Sequence, residues 1–561
     1  MPATEEQTTL NWWASGDTPV RTDSRVTYLV DGRMAMLTMC LHFLKARSYI
    51  YVANWGMTPR MELVRGPDHR AGPDSSPEQE ALLAWLRAEG LAEADIAFWC
   101  THDLTIQAVL GYAVSKGVEV KVLLWETIQV SGLAHYSPKE AHAELTQVEV
   151  TCILDDSAHG ILHHPVESLH QKISIVDGTH AFVGGVDPLI ELDGDYDRWD
   201  TPSHPFSSPL RRTKEQTSPH PWHDAHSLVE GPAAGDAEHN FRQRWNDVVQ
   251  RHQLDDSLLV PEHPLAPPLE SKSVVQVART IPQHTYNFSP PAGIQGIAQL
   301  YANALSNTRR FVYLENQYFW LRAYTGVDIA IAGIDNPDME YNIHRLGESL
   351  QRGAIVGIVL PDHPNVGRAF TDAGISRLRA EAPEAVAQGR LQVFCLGTST
   401  HKEDGEHYRP IYVHAKVAVI DDLWSTVGSG NLNNRGMRDD TEVNIATLDA
   451  ELAYGMRLML WAEHLSLVGD ADLFALARYL GRQYQRSEEN AQALRVWQYL
   501  QETLSDPLVG LRLMSERAQD NLQRYKAKQP LVGHLLPYLT AEEAKQEGLN
   551  FREAHGWLEE P

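Results

Sequence analysis

Apolar positions along this chain repeat in a helical rhythm and then in strand-like runs. Met34, Met36, Leu37, Leu41 and Leu44 fall at helical spacing and lead into residues 48–54, SYIYVAN, whose β-branched and aromatic run predicts a buried strand. The same unit returns: residues 297–304 give an apolar helical face, and residues 310–315, RFVYLE, a second such strand. A helix-to-strand step through Gly117, within residues 104–125, has its counterpart in residues 348–360. Matching order in two α/β segments predicts internal duplication.

Proline and polar residues mark the joints. Pro261, Pro264, Pro267 and Pro268 place a linker at 255–272. The expected division is a tail at 1–24, a first half at 25–254, a second half at 273–480 and a helical cap at 481–561. Residues 193–221 are too long and too rich in Pro, Ser, Thr and Asp for an idle turn, so a functional loop is expected there.

Composition narrows the class. At 561 residues, with 43% hydrophobic and 22% charged, the chain is an ordinary globular protein too long for one compact core. A formal net charge of −26 opposes a polyanionic partner, so nucleic acid is not expected. Cys40, Cys100, Cys152 and Cys395 are far apart and read as reduced core residues. The first residues lack a basic segment followed by an apolar run, and no stretch nears ~18 continuous apolar residues. A cytoplasmic or peripheral membrane location is expected, with signal-independent export still open.

Candidate chemistry appears in duplicate. His170, Lys172 and Asp177 share the spacing H-x-K-x-x-x-x-D with His414, Lys416 and Asp421. Apolar residues after each lysine mark a strand, whose period of two sets His and Lys on one face. The aspartates fall on the other face or at the strand end, as supporting groups. Gly184, Gly185, Val186 and Asp187 follow the first copy where Gly428, Ser429, Gly430 and Asn431 follow the second, and small residues there allow close approach of an anion. One copy would be weak, because a lone strand histidine is usually structural; two copies with matched glycines are not. His163, His164, His220 and His226 lack partners at a ligand spacing, so no metal is expected.

The doubled motif with its trailing GSxN or GG resembles the phospholipase D superfamily. Trp222-His223-Asp224, Glu315-Asn316-Gln317, Trp199-Asp200-Thr201 with His204-Pro205, and Asp440-Thr441-Glu442 are similar to segments of its plant and animal phospholipases, over about residues 25–480. The resemblance implies an α/β fold of two duplicated halves, each a mixed β-sheet flanked by helices, packed as a pseudo-twofold dimer in one chain with one site. It further implies that His170 is the nucleophile, forming a phosphohistidine, and that His414 is the general acid. Lys172 and Lys416 would neutralise phosphoryl oxygens, and Ser429, Asn431 and Gly185 would bind phosphate; by position after each motif, Asp200 and Glu442 are the carboxylates expected behind the histidines. No cofactor is implied. The expected partner is a phospholipid at a membrane surface, met by a monomer; a calcium-dependent membrane-binding domain has no room in the short N-terminal segment. Rival expectations are a phosphatidyltransferase or nuclease of the same superfamily, and a non-catalytic lipid-binding scaffold, against which the retention of both His/Lys pairs counts. Asp187 departs from the motif's asparagine, so the first half should hold phosphate less symmetrically.

Overall fold

The computed structural model describes residues 10–126, 137–158, 168–190, 196–212, 219–323, 334–364, 366–482, 487–553 and 555–558. Seven strands form the first sheet: β1 (Arg25–Val30), β2 (Tyr49–Asn54), β3 (Glu119–Trp125), β4 (Thr151–Asp155), β5 (Lys172–Val176), β6 (His180–Gly184) and β7 (Ala225–Glu230). Seven more form the body of the second: β8 (Val274–Ile281), β9 (Phe311–Asn316), β10 (Ile355–Val359), β11 (Leu391–Lys402), β12 (Lys416–Ile420), β13 (Trp424–Gly428) and β14 (Glu442–Leu448). Spatial order is β1-β7-β6-β5-β2-β3-β4 in one and β8-β14-β13-β12-β9-β10-β11 in the other. In both, the first four pairings are antiparallel and the last two parallel. Helices repeat as well: α1 (Asp31–Lys45), α2 (Ile106–Ser115) and α3 (Pro232–Arg251) follow the same strands as α4 (Gly296–Asn307), α5 (Pro337–Gln351) and α6 (Ala450–His464). The chain is thus an α/β protein of two duplicated halves, each a mixed sheet flanked by helices.

The two sheets meet where β6 and β7 pack on β13 and β14. One apolar core continues across this contact, from Val26, Leu228 and Val183 to Val427 and Ile445. Tyr28 of β1 crosses it with its hydroxyl 2.9 Å from both Ser425 Oγ and Thr447 Oγ1.

Both termini depart from a tail and a purely helical cap. Val20 and Arg21 pair antiparallel with β8, and Trp12, 1% exposed, stacks on Trp424, so an indole and two ladder residues bind the N-terminal segment to the second half. At the other end, helices Ser487–Leu504 and Pro507–Lys526 are followed by a strand, Leu535–Pro537, added antiparallel to β11.

Asp177 and Asp421 stand at the far ends of β5 and β12 from the histidines. Each sits in the left-handed turn region, φ 52° and 55°, which aspartate tolerates. Each carboxylate accepts three consecutive backbone N–H groups, those of Arg47, Ser48 and Tyr49 or of Arg309, Arg310 and Phe311. The motif aspartates therefore tie the entry of the neighbouring strand and touch neither imidazole.

A buried ionic network also clamps the halves. His223 donates toward Glu315 of β9 at 2.8 Å and lies 2.8 Å from Glu463 of α6 and 3.1 Å from Asp31 of α1. His204 lies 2.9 Å from Glu463 and 3.1 Å from Asp200, and His464 2.7 Å from Glu315. Burial alone would lower His204, but Asp31 and the bonds to Asp200 and Glu463 outweigh it and hold it at about 10. Burial would likewise raise Glu315, yet the charges of His223 and His464 hold it at about 2.

Asp421→Ala, which orphans three donors, should lower unfolding free energy by ~1.5–3 kcal/mol in denaturant titrations. His204 has a folded pKa above its unfolded value of ~6.5, so its contribution is fully present below that and lost as pH rises toward about 10. The unfolding temperature of the wild type should fall between pH ~7 and ~10 more steeply than that of His204→Gln.

Candidate active site

The site is built where the end of each half's central strand pair meets the other half. Ladder register sets Lys172 of β5 opposite Asn54 of β2, and Lys416 of β12 opposite Asn316 of β9. The histidines lie two residues earlier, just outside the strands, where backbone from the opposite half takes over. His170 N–H donates to Thr441 O at 3.0 Å, and His414 N–H donates to His223 O at 2.8 Å. The residue after each acceptor supplies a carboxylate: His170 Nδ1 is 2.9 Å from Glu442 Oε1, and His414 Nδ1 is 2.7 Å from Asp224 Oδ2. The two imidazoles face one another edge to face, ring centroids 6.4 Å apart.

Asp224, rather than Asp200, is therefore the carboxylate behind His414. Asp200 is consumed by Arg211 at 3.0 Å, His204 at 3.1 Å and the Trp222 N–H at 3.0 Å, and it holds the loop instead. Arg211 is buried in that pairing and does not face solvent.

Gly185 and Ser429 also have other work. Gly185 N–H donates to Ala225 O at 2.9 Å, so it is not open to an anion; a Cβ there would lie 2.0 Å from Asp224 Oδ1, so the glycine makes room for that carboxylate. Ser429 Oγ accepts the Val443 N–H at 3.0 Å, and its hydroxyl supports Glu442. Asn431 stays at the site: its amide donates to Gln317 Oε1 at 3.2 Å, which also accepts from Lys416 Nζ at 3.2 Å. In the first half the lysine pairs differently, Lys172 Nζ lying 3.2 Å from Asp187.

Burial, followed by the charges of Lys172 and Lys416, pulls His170 well below its ordinary pKa; burial, Lys416 and Arg198 do the same to His414. Burial and Lys172 push Lys416 down to about 7 against the pull of Asp224. Glu442 is raised well above the carboxylate range by burial and by Asp440.

Asp31, His204, His223 and Glu463 bring two ring nitrogens and two carboxylates together, all fully buried. Three of the N···O separations are 2.8, 2.9 and 3.1 Å. Ligand atoms about 2.0–2.1 Å from a tetrahedral zinc stand ~3.4 Å apart, so shared protons fit these gaps better than an ion. Of the histidines first considered for metal, His163 and His164 lie outside the described residues. His226 Nδ1 accepts the Val186 N–H at 3.3 Å.

A family model described as phospholipase D matches residues 95–328, and one described as cardiolipin synthase, PLD-like domain, matches 321–461, so each contains one copy of the motif. Phospholipase D alpha 1 of Cynara cardunculus is 26% identical over 76% of this chain and 63% of its own length; that of Carica papaya is 27% identical over 66% and 60%. The chain thus spans less than two thirds of the length of these relatives. A phosphatidylserine synthase from Haemophilus influenzae Rd KW20 superposes over 90% of this chain and 95% of its own, at 13% identity and a TM-score of 0.44. Two family matches that together cover residues 95–461 of a duplicated α/β chain, each with one copy of the histidine motif, mean that the chain belongs to the phospholipase D superfamily.

Proposed function

We propose that the protein is a phosphodiesterase that cleaves glycerophospholipids to phosphatidic acid and a headgroup alcohol through a phosphohistidine. The observation that carries this reading is the facing pair of imidazoles, one from each half, each with Nδ1 engaged by a carboxylate. A ring that donates from Nδ1 keeps its Nε2 lone pair for chemistry.

His170 Nε2 attacks phosphorus, the bond from phosphorus to the headgroup oxygen breaks, and a proton from His414 Nε2 goes to the leaving alkoxide. Water then attacks phosphorus and gives its proton to His414; the P–N bond breaks and phosphatidic acid leaves with both histidines restored. Lys172 and Lys416 neutralise the growing charge on the phosphoryl oxygens, and Asn431 adds an amide donor. In the free site burial, Lys416 and Arg198, followed by Lys172, disfavour a proton on His414. An arriving phosphodiester anion reverses that balance, so substrate itself brings the acid into its working form.

A second reading has an alcohol in place of water, giving phosphatidyl transfer by the same two steps. The match of residues 321–461 to a cardiolipin synthase-like domain supports it. Among the described residues no helix is long and apolar enough to cross a membrane. The proposed encounter is that of a monomer at a phospholipid surface, in the cytoplasm or at the membrane periphery.

Headgroup release from mixed phospholipid vesicles should be seen with the purified protein and fall at least ~10³-fold in His170→Ala and in His414→Ala. Added ethanol should divert product to phosphatidylethanol if transfer competes. DNA cleavage without lipid turnover would replace this reading with a nuclease. The kcat/KM profile, which reports the free enzyme, should lose activity on the acid side as His170 is protonated below ~6.5, and on the alkaline side first as His414 loses its proton, also below ~6.5, and then as Lys416 loses its charge near 7.

A further inference from the structure

The two halves do not equip the phosphate position equally. Beside Lys416 stand two neutral amides, Gln317 and Asn431. The positions that correspond in the first half, after β2 and after β6, hold Trp55 and Asp187. Asp187 is 1% exposed and only 3.2 Å from Lys172, so it offsets the lysine's charge and bears the same sign as a phosphodiester.

Arg198 enters this corner from the loop that follows β6. Its guanidinium carbon lies 3.9 Å from the ring centroid of Trp222 and 6.0 Å from that of Trp55. Trp222 packs on His414 at 4.8 Å, while Trp55 lies 6.2 Å from the His170 ring and 5.8 Å from Lys172 Nζ. The guanidinium therefore spans the indoles that back the two histidines, and its charge bears on His414, Lys416 and Asp187. A guanidinium stacked on an indole face keeps its N–H edge in plane for a bidentate anion.

The backbone that carries it is fixed. Arg198 N–H donates to Leu189 O at 3.2 Å, and Arg33 N–H to Asp200 O at 2.9 Å. Gly32 lets this strand of loop lie against α1, because a Cβ there would sit 2.0 Å from Arg198 O. Asp197 next door is locked in a fully buried pair with Arg65.

We propose that Arg198 is a second phosphate ligand of the first half beside Lys172, supplying the N–H donors that Asp187 lacks and offsetting its charge, so that a phosphodiester is gripped from both halves. The assignment deepens the phosphodiesterase reading and rests on it.

The test measures inorganic phosphate binding by calorimetry, beside kcat and KM for headgroup release from phosphatidylcholine vesicles. It uses wild type, Arg198→Lys, Arg198→Gln, Asp187→Asn and the Arg198→Gln/Asp187→Asn double variant, with thermal unfolding as the check on folding. Arg198→Gln should weaken phosphate binding and raise KM roughly 10- to 100-fold, and Arg198→Lys should lose less. Asp187→Asn should restore part of the loss in the Arg198→Gln background, a coupling that a merely structural arginine would not show. Phosphate binding and KM within about twofold of wild type in both Arg198 variants, or no recovery in the double variant, would overturn the assignment. So would a wild type that does not bind phosphate. If Arg198→Gln unfolds early, Arg198→Lys against wild type and Asp187→Asn decides. Wild-type protein that binds phosphate through Arg198 but turns over no lipid sinks the phosphodiesterase reading and leaves the ligand; active protein indifferent to Arg198 does the reverse.

Discussion

The site depends on an exchange of carboxylates between halves. Glu442, at the start of the last strand of the second sheet, holds the ring of His170, and Asp224, just before the last strand of the first, holds that of His414. Each exchange is anchored one residue earlier by a backbone bond from the histidine to the opposite half. Neither half alone can orient its own imidazole. An internal duplication thus yields one site and not two, and the packing of β6 and β7 on β13 and β14 becomes a condition for chemistry as well as for stability.

The exchange is symmetric in position but not in surroundings. Behind His414, the Asp224 N–H donates to Asp31 Oδ1 at 3.0 Å, which ties the pair into the network of His204, His223, Glu315 and Glu463. Behind His170, Glu442 stands near Asp440, whose carboxylate is paired with Arg435 at 2.9 Å. Two chemically identical imidazoles therefore see different fields, which suits a reaction that asks one to attack and the other to carry a proton. Buried pairs of this kind add little net stability over well-packed apolar residues, yet losing one partner strands a charge and costs ~3–5 kcal/mol. Their worth here lies in fixing geometry.

Much of this was legible in the chain, because the repeat is written in both rhythm and motif. The strands at 48–54 and 310–315 fall within a residue or two of β2 and β9, and both His/Lys pairs come together as the spacing implies. What escaped depends on register between distant segments. Distance from the motif pointed to Asp200, whereas Asp224 and Glu442 correspond only when the halves are aligned on their last strands, β7 and β14. The aspartates at the end of each motif are supporting groups, as their distance from the histidines implies, because five strand residues at ~3.3 Å each carry them to the far end of the strand. The network of Asp31, His204, Glu463 and His464 joins three separate segments and has no local signature at all.

The charge of the whole and the charge of the site have opposite sign. A chain of net charge −26 holds Lys172, Lys416, Arg198 and Arg435 around one pair of histidines. Exposed charges are screened beyond ~8 Å at physiological salt, so the negative surface and the buried cations act over different ranges, the cations on a phosphate already at the site. Long-range steering of a polyanion is opposed, while short-range capture of a single phosphodiester is not. The proposed lipid substrate presents such single phosphodiesters at high local density. Selectivity would then lie in the site itself, where Asp187 and Arg198 distinguish the first half from the second, and not in the field of the protein as a whole.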